Sequence, residues 1–144
     1  MKVKIYCDMD GVLADFNAEP NAVERFQTEA GFFYKLRPIK NNVKAIRKLI
    51  ADGFEVNILS ASPNMMADGN KIKWLNKYLP MIKAENIIIM RNGENKADYV
   101  KADGKIILFD DWGKNCRDFR EKGFEAYKVD GWHTISRGVR SLLK

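Results

Sequence analysis

Cysteine and histidine are scarce in this sequence, which contains only Cys7, Cys116 and His133 of these residue types. The two cysteines lie far apart and form neither a metal-binding cluster nor a redox motif, so a Cys/His zinc site is excluded. Nothing resembling a Ser/His/Asp triad surrounds the single histidine. No glycine-rich loop of the P-loop or dinucleotide-binding type is present. The sequence therefore does not support either of those nucleotide sites.

Long hydrophobic runs are also absent. The longest aliphatic stretches, Ile87–Met90 and Ile106–Phe109, are far too short to cross a bilayer. The apolar stretch Met1–Cys7 is too short for a signal peptide. Two isolated thiols suit a reducing compartment. We therefore expect a soluble, cytoplasmic protein with no membrane partner.

The composition is that of an ordinary globular domain with a basic surplus. Hydrophobic residues make up 46% of the 144 residues and charged residues 31%, which predicts one compact domain with its own core. There are 25 lysines and arginines against 19 acidic residues, giving a net charge of +6. This surplus favours anionic partners such as phosphate esters, nucleotides or nucleic acid, but a solvated basic surface explains it equally well.

Short apolar runs alternate with stretches of helical periodicity along the chain. The predicted strands are Val3–Cys7, Glu55–Leu59, Asn86–Met90, Lys105–Phe109 and Glu125–Val129. Apolar residues recur at helical spacing in the stretches 43–50, 72–79, 112–119 and 135–143. This alternation predicts an α/β fold, with a Rossmann-like parallel sheet and helices on both faces. In such folds ligands bind beyond the carboxyl ends of the strands.

One segment, residues 15–42, interrupts the alternation. It carries no strand signal, and it lies between the first predicted strand and the first predicted helix. It concentrates the aromatic residues Phe16, Phe26, Phe32, Phe33 and Tyr34. We predict that this segment is a small helical cap insertion over the strand ends, within a single domain of residues 1–144. The alternative is a connector whose aromatic side chains simply pack on the domain.

Pairs of acidic residues follow the first and fourth predicted strands. Asp8 and Asp10 come after the first, and Asp110 and Asp111 after the fourth. Side chains two positions apart on an extended chain point the same way. Because parallel strands end at one edge of the sheet, these carboxylates can meet. An oxygen-rich site of this kind suits Mg²⁺, although each pair alone could instead form a turn or cap a helix.

Hydroxyl and ammonium groups follow the second and third predicted strands. Ser60, Ala61 and Ser62 follow the second, and Lys96 lies shortly after the third. A hydroxyl with nearby backbone N–H groups can hold phosphate oxygens, and a lysine can offset charge on a transferring phosphoryl group. Each feature alone has an ordinary structural explanation. The order acid pair, hydroxyl, lysine, acid pair along the strand ends indicates phosphoryl chemistry.

These motifs resemble those of the haloacid dehalogenase superfamily of phosphatases, and most of all its 5'(3')-deoxyribonucleotidases. The matching positions are the opening Asp-Met-Asp-Gly-Val-Leu of residues 8–13, then Ser60, Lys96 and Asp110-Asp111. Further shared features are Phe32-Phe33 before Arg37-Pro38, Ser62-Pro63 and a Lys-x-x-Trp-Leu pattern at residues 71–75. The sequence departs from that subfamily at Ala61, where a threonine is expected, and in its shorter insertion. Whether Ser60 or Ser62 supplies the phosphate-binding hydroxyl therefore stays open, with Ser60 favoured because it closes the apolar strand.

The resemblance implies a magnesium-dependent phosphatase with a haloacid dehalogenase-like fold. Asp8 would attack phosphorus to form an aspartyl-phosphate, and Asp10 would act as general acid and base. Mg²⁺ would be bound by Asp8, Asp110 and the backbone carbonyl of Asp10, with Asp111 orienting it. Ser60, its neighbours Ala61 and Ser62, and Lys96 would hold the phosphate oxygens.

The expected substrate is a small phosphate ester, in particular a nucleoside monophosphate. Phe32, Phe33 or Tyr34 could stack on its base and Arg37 could meet a second anionic group, although core packing explains the aromatic residues equally well. A nucleic-acid-binding or DNA end-processing phosphatase, or a phosphatase for other small esters, is the alternative. DNA binding should weaken steeply with salt, whereas monophosphate hydrolysis should respond mildly.

Overall fold

Five parallel strands form the centre of the structure, a computed structural model that describes residues 2–130 and 132–142. The strands are β1 (Val3–Cys7), β2 (Glu55–Ser62), β3 (Ile87–Arg91), β4 (Lys105–Asp110) and β5 (Glu125–Lys128). Their order across the sheet is β3-β2-β1-β4-β5, and every pairing is parallel. The carboxyl ends of all these strands therefore lie at one edge of the sheet.

Helices cover both faces of this sheet. They are α1 (Ala22–Thr28), α2 (Lys40–Ala51), α3 (Met65–Tyr78), α4 (Gly113–Glu121) and α5 (Trp132–Leu142). Apolar residues of α2, α3 and α5 share one buried cluster with Ile5 and Ile58 of the sheet. Residues of α4 share a second cluster with Leu59 and Leu108, which point to the opposite face. The predicted α/β fold with helices on both faces is confirmed. None of the described helices is long and apolar enough to cross a membrane.

The predicted bounds differ from the observed ones mainly at β2 and at the last helix. β2 continues to Ser62, three residues beyond the prediction, because Ser60, Ala61 and Ser62 pair with Ile89–Arg91 of β3. β4 likewise extends to Asp110. Leu143 and the side chain of His133 lie outside the described residues.

The segment 15–42 is helical over part of its length and is tied to the main domain, and its role as a cap stays a prediction. It contains α1 and a 3₁₀ turn, Phe33–Lys35, while its last three residues already belong to α2. The indole N–H of Trp74 on α3 donates to Leu36 O at 2.8 Å. Four rings pack together with centroids 5.3–6.3 Å apart: those of Phe16, Phe26, Phe32 and Phe33. These aromatic residues are part of the main hydrophobic cluster or pack directly against it.

Candidate active site

Three of the predicted acidic residues meet at the carboxyl edge of the sheet. β1 and β4 are neighbours with Cys7 opposite Phe109, so Asp8 and Asp110 are level with each other. The backbone N–H of Asp8 donates to Phe109 O at 2.9 Å. Asp8, Asp110 and Asp111 each offer one carboxylate oxygen, and these atoms lie within 4.8 Å of one another.

Lys96 joins two of these carboxylates. It lies in a 3₁₀ turn, Lys96–Tyr99, that follows β3. Its Nζ donates to Asp8 Oδ1 at 2.9 Å and to Asp110 Oδ2 at 2.8 Å. Burial raises the pKa of Asp8 to about 6, although Lys96 opposes the rise. Burial and the charge of Asp8 raise the pKa of Asp110 to about 6 in the same way. Burial opposes the protonated form of Lys96, but Asp8 and Asp110 together raise the pKa of its ammonium.

The carboxylate of Asp110 is fully buried and held from several directions. The backbone N–H of Trp112 donates to its Oδ1 at 2.9 Å, and Asn115 Nδ2 donates to its Oδ2 at 3.0 Å. Asn115 was not predicted from the sequence. Its position in the first turn of α4, shortly after the acid pair, is the signal that could have found it.

Asp111 lies against the backbone of Gly11. Gly11 has φ +84°, a conformation that side chains rarely adopt, and a Cβ at this position would overlap the Asp111 carboxylate. Asn17 Nδ2 donates to Asp111 Oδ2 at 3.4 Å. The glycine of the first motif is therefore required for two reasons: the turn after β1 and the space that Asp111 occupies.

Asp10 is held by a lysine that the sequence analysis did not assign to the site. Lys71 on α3 is completely buried, and its Nζ donates to Asp10 Oδ2 at 2.6 Å. Asp10 Oδ1 is also buried and has no hydrogen-bond partner among the described residues. The sequence signal is that Lys71 shares the apolar face of α3 with Trp74 and Leu75, where a lysine is unexpected.

The two serines of the second motif point away from the carboxylates. A cavity of about 390 Å³ opens over the acidic groups and is lined by Ala61 but by neither serine. Because side chains alternate along β2, Ser60 and Ser62 face the opposite side from Ala61. Ser60 Oγ accepts a hydrogen bond from Lys71 Nζ at 2.9 Å, and Ser62 Oγ donates to Asn64 O at 3.2 Å. The geometry thus does not support direct phosphate binding by either hydroxyl.

The aromatic residues predicted to meet the substrate do not line the cavity either. Phe32 and Phe33 are buried in the core, so their faces are closed to a base and core packing explains them. Tyr34 is exposed, with Lys77 Nζ 5.8 Å from its ring centroid, and Arg37 is exposed at the surface. The exposed aromatic residue of the cavity is instead Trp112, whose fractional exposure is 59%.

The residues present fit a hard divalent cation such as Mg²⁺. Asp8, Asp110 and Asp111 offer only carboxylate oxygens, which this ion prefers over nitrogen or sulfur. Burial is the main cause of the raised pKa values of Asp8 and Asp110, and neighbouring carboxylates add to the rise. The side chain of Asp10 does not belong to this carboxylate group, since it pairs with Lys71.

A comparison with protein families matches residues 17–135 of this chain to the family described as "5' nucleotidase, deoxy (Pyrimidine), cytosolic type C protein". The matched range includes Lys71, Lys96, Asp110 and Asp111. A search of curated proteins found no match to this chain.

Several solved structures share the fold. A chain of the Pnkp1/Rnl/Hen1 complex is 19% identical with a TM-score of 0.66, and the match covers 90% of this chain and 46% of that one. A chain of the Pnkp1/Rnl/Hen1 RNA repair complex is 17% identical with a TM-score of 0.66, over 89% of this chain and 42% of that one. This chain thus spans less than half of either. The HAD domain of effector protein Lem4 from Legionella pneumophila is 18% identical with a TM-score of 0.56, over 99% of this chain and 95% of that one.

Proposed function

The chain belongs to the cytosolic type C family of 5'-nucleotidases, and we propose that it hydrolyses nucleoside monophosphates through an aspartyl-phosphate on Asp8. The proposal rests on one observation. Asp8 lies at the end of β1 beside Lys96 and the Asp110-Asp111 pair, on a cavity that is large enough for a phosphate ester. These groups supply a nucleophile, a cation and a metal-binding site at a single point.

In the first step, a carboxylate oxygen of Asp8 bonds to phosphorus as the bond from phosphorus to the ester oxygen breaks. Asp10 gives its proton to the departing alkoxide. In the second step, Asp10 takes a proton from water as the water oxygen bonds to phosphorus. The bond between phosphorus and Asp8 then breaks, which releases inorganic phosphate and regenerates the enzyme.

In both steps, Lys96 and an ion held by the carboxylate cluster would offset the negative charge on the phosphoryl group. Lys96 is already placed against Asp8 at 2.9 Å, where its positive charge offsets the charge on the transferring phosphoryl group. Mg²⁺ would be held by Asp8, Asp110 and Asp111 and would act as a Lewis acid toward a phosphate oxygen. Coordination by the backbone carbonyl of Asp10 stays a prediction.

The direct test is an assay of inorganic phosphate release with Mg²⁺ present. The panel contains deoxynucleoside and ribonucleoside monophosphates, ribose 5-phosphate and a 5'-phosphorylated oligonucleotide, each at low and high salt. We expect the monophosphates to be hydrolysed with a mild salt response. Preferred turnover of the oligonucleotide with a steep salt dependence would favour the end-processing alternative instead. No turnover of any ester would contradict the proposal.

We further propose that the base of the substrate stacks on Trp112 rather than on the insertion. This ring is exposed on the cavity next to the acid pair, whereas Phe32 and Phe33 are buried. Stacking of a base on an aromatic ring contributes about 1–3 kcal/mol. Trp112→Ala should therefore lower kcat/KM for nucleoside monophosphates by roughly fivefold to 150-fold, measured separately for each substrate.

Two comparisons isolate the stacking contribution. Ribose 5-phosphate has no base, so its hydrolysis should be unchanged by Trp112→Ala, and Trp112→Phe should keep most of the nucleotide affinity. Tyr34→Ala serves as a control outside the cavity and should have no effect. Equal losses on both substrates would mean that Trp112 supports the acid pair instead. If Tyr34→Ala lowers kcat/KM for the nucleotides more than Trp112→Ala does, the insertion binds the base instead.

A further inference from the structure

The two outer strands of the sheet differ in how well they are protected against pairing with another strand. Among the described strands, β3 and β5 each have one neighbour only. β5 contains Glu125 and Lys128 within its four residues, and charged residues on an edge strand discourage further pairing. β3 reads Ile-Ile-Ile-Met over residues 87–90, with no charged residue before Arg91. An apolar edge strand of this kind is open to pairing with a further strand.

The hydrogen bonds of β3 show which of its backbone groups face outward. Asn92 N–H donates to Ser62 O of β2 at 3.1 Å. Because backbone groups alternate in direction along a strand, those of Ile87, Ile89 and Arg91 point away from β2. These residues therefore form the free edge of β3.

Local acceptors take the outward N–H groups at both ends of this free edge. Ala84 O accepts from Ile87 N–H, and Glu94 Oε1 accepts from Arg91 N–H at 2.8 Å. Among the residues that the structure describes, the outward N–H of Ile89 has no such local acceptor. The centre of the strand thus presents one unpaired N–H and one unpaired C=O.

The side chains next to this position are apolar and partly exposed. Ile89 and Arg91 point to the same face of the sheet, and Arg91 Nη1 and Nη2 donate to the Asp68 carboxylate of α3 at 2.9 and 2.8 Å. Ile72 lies one turn after Asp68 on the same side of α3 and is 40% exposed. α3 runs back from the carboxyl end of β2 to the amino end of β3, and four helical residues or two strand residues each advance about 6 Å. Ile72 is therefore level with Ile89, and together they form an apolar edge patch.

We propose that β3 is the interface of a symmetric dimer, in which the β3 strands of two copies of this chain pair antiparallel about Ile89. Each Ile89 then donates its N–H to the Ile89 carbonyl of the other copy, so both free groups of each copy are paired. The two-fold axis is perpendicular to the sheet and keeps both α3 helices on one face. The edge patches formed by Ile72 and Ile89 therefore meet each other, which is the self-complementarity that a two-fold interface requires.

Charge favours the antiparallel orientation. It places Arg91 of each copy beside the amino end of the other β3, where the 3₁₀ turn Ala84–Asn86 carries the exposed Glu85. A parallel pairing in register would instead place Arg91 against Arg91. The antiparallel arrangement also directs the carboxyl edges of the two sheets in opposite directions, so the cavities of both copies stay open.

Sedimentation velocity of the full chain over a wide range of protein concentration tests the dimer. The wild-type protein should show a reversible monomer–dimer equilibrium. Ile89→Lys should weaken association at least about a hundredfold, because the symmetric interface loses two isoleucines and gains two charges. Ile72→Lys changes an exposed helix position and should also weaken association, so it decides the question if Ile89→Lys does not fold. Circular dichroism and thermal melting establish that each variant is folded.

Glu125→Lys is the matched control. It adds a lysine to β5, the other edge strand, where Glu125 is exposed. This variant should associate with the same affinity as the wild-type protein. A loss of association equal to that of Ile89→Lys would mean that added positive charge alone prevents the dimer, which would overturn the assignment to β3.

Residue-resolved amide hydrogen exchange locates the contact. In the wild-type protein, exchange of the Ile89 N–H should slow at least about tenfold as the concentration rises through the dimerisation range, because this group becomes hydrogen-bonded. In Ile72→Lys it should stay fast over the same range.

Three results would overturn the proposed interface. One is a wild-type chain that stays monomeric at every concentration. Another is a dimer whose affinity is unchanged in either folded lysine variant of the edge patch. The third is a dimer whose formation leaves the exchange of Ile89 unchanged, since the contact would then lie on another surface. None of these measurements uses phosphate release, so their outcome is independent of the proposed hydrolysis of nucleotides.

Discussion

Replacing Asp8 by asparagine should reduce the turnover of nucleoside monophosphates by about ten-thousandfold or more while the protein stays folded. An amide is a poor nucleophile, and loss of a covalent nucleophile typically removes most of the catalysis that a site provides. The amide oxygen can still accept the hydrogen bond that Lys96 donates to Asp8. Burial raises the pKa of Asp8 to about 6, so its negative charge is disfavoured in the folded state. The neutral asparagine should therefore leave the melting temperature unchanged or higher.

The measurement is kcat for deoxythymidine monophosphate together with thermal melting. Asp103→Asn is the matched control, since Asp103 is exposed and precedes β4, at the opposite edge of the sheet. Rapid acid quenching of the wild-type protein during turnover should trap one phosphoryl group on Asp8, identified by peptide mass spectrometry. Near-normal turnover by folded Asp8→Asn would rule out Asp8 as the nucleophile, as would a phosphoryl group on another residue.

The parts of this site that the sequence predicts are those that depend on strand ends. Asp8 and Asp110 each follow an apolar run long enough to read as a strand, and the parallel alternation brings such ends together without any knowledge of packing. Lys96 is predictable only in combination with them. Its ion pairs with Asp8 and Asp110 cannot be inferred from its position in the sequence after the third predicted strand.

Residues that reach the site from helices are harder to predict, because their contacts depend on how a helix packs. Lys71 begins the Lys-x-x-Trp-Leu pattern of residues 71–75, but the contact between its Nζ and Asp10 depends on how α3 packs against the sheet. Composition also cannot separate a buried ring from an exposed one, which is why Phe32 and Phe33 were candidates for the substrate site and Trp112 was not. The period of two along β2 decides which way Ser60 and Ser62 point, and a shift of one residue reverses the face. Their position at the end of β2 is predictable, whereas phosphate binding by either serine stays a prediction.

Removal of divalent cations should abolish activity, and addition of Mg²⁺ should restore it. Asp8, Asp110 and Asp111 place three carboxylate oxygens within 4.8 Å of one another, and the one cation that joins two of them among the described side chains is Lys96. Burial, with a further contribution from repulsion by neighbouring carboxylates, raises the pKa values of Asp8 and Asp110 to about 6. A bound divalent ion would relieve that repulsion, so it should also stabilise the folded state.

Asp110→Ala tests this expectation in activity and in stability. The substitution removes a carboxylate that accepts hydrogen bonds from Lys96, Asn115 and the Trp112 backbone. Turnover should fall at least about a hundredfold at a Mg²⁺ concentration that saturates the wild type. Mg²⁺ should raise the melting temperature of the wild-type protein but not that of Asp110→Ala. Glu121→Ala, an exposed acid at the end of α4, should match the wild type in both measurements. Full activity after exhaustive chelation, or the same Mg²⁺-dependent melting shift in Asp110→Ala, would mean that this cluster does not bind the ion.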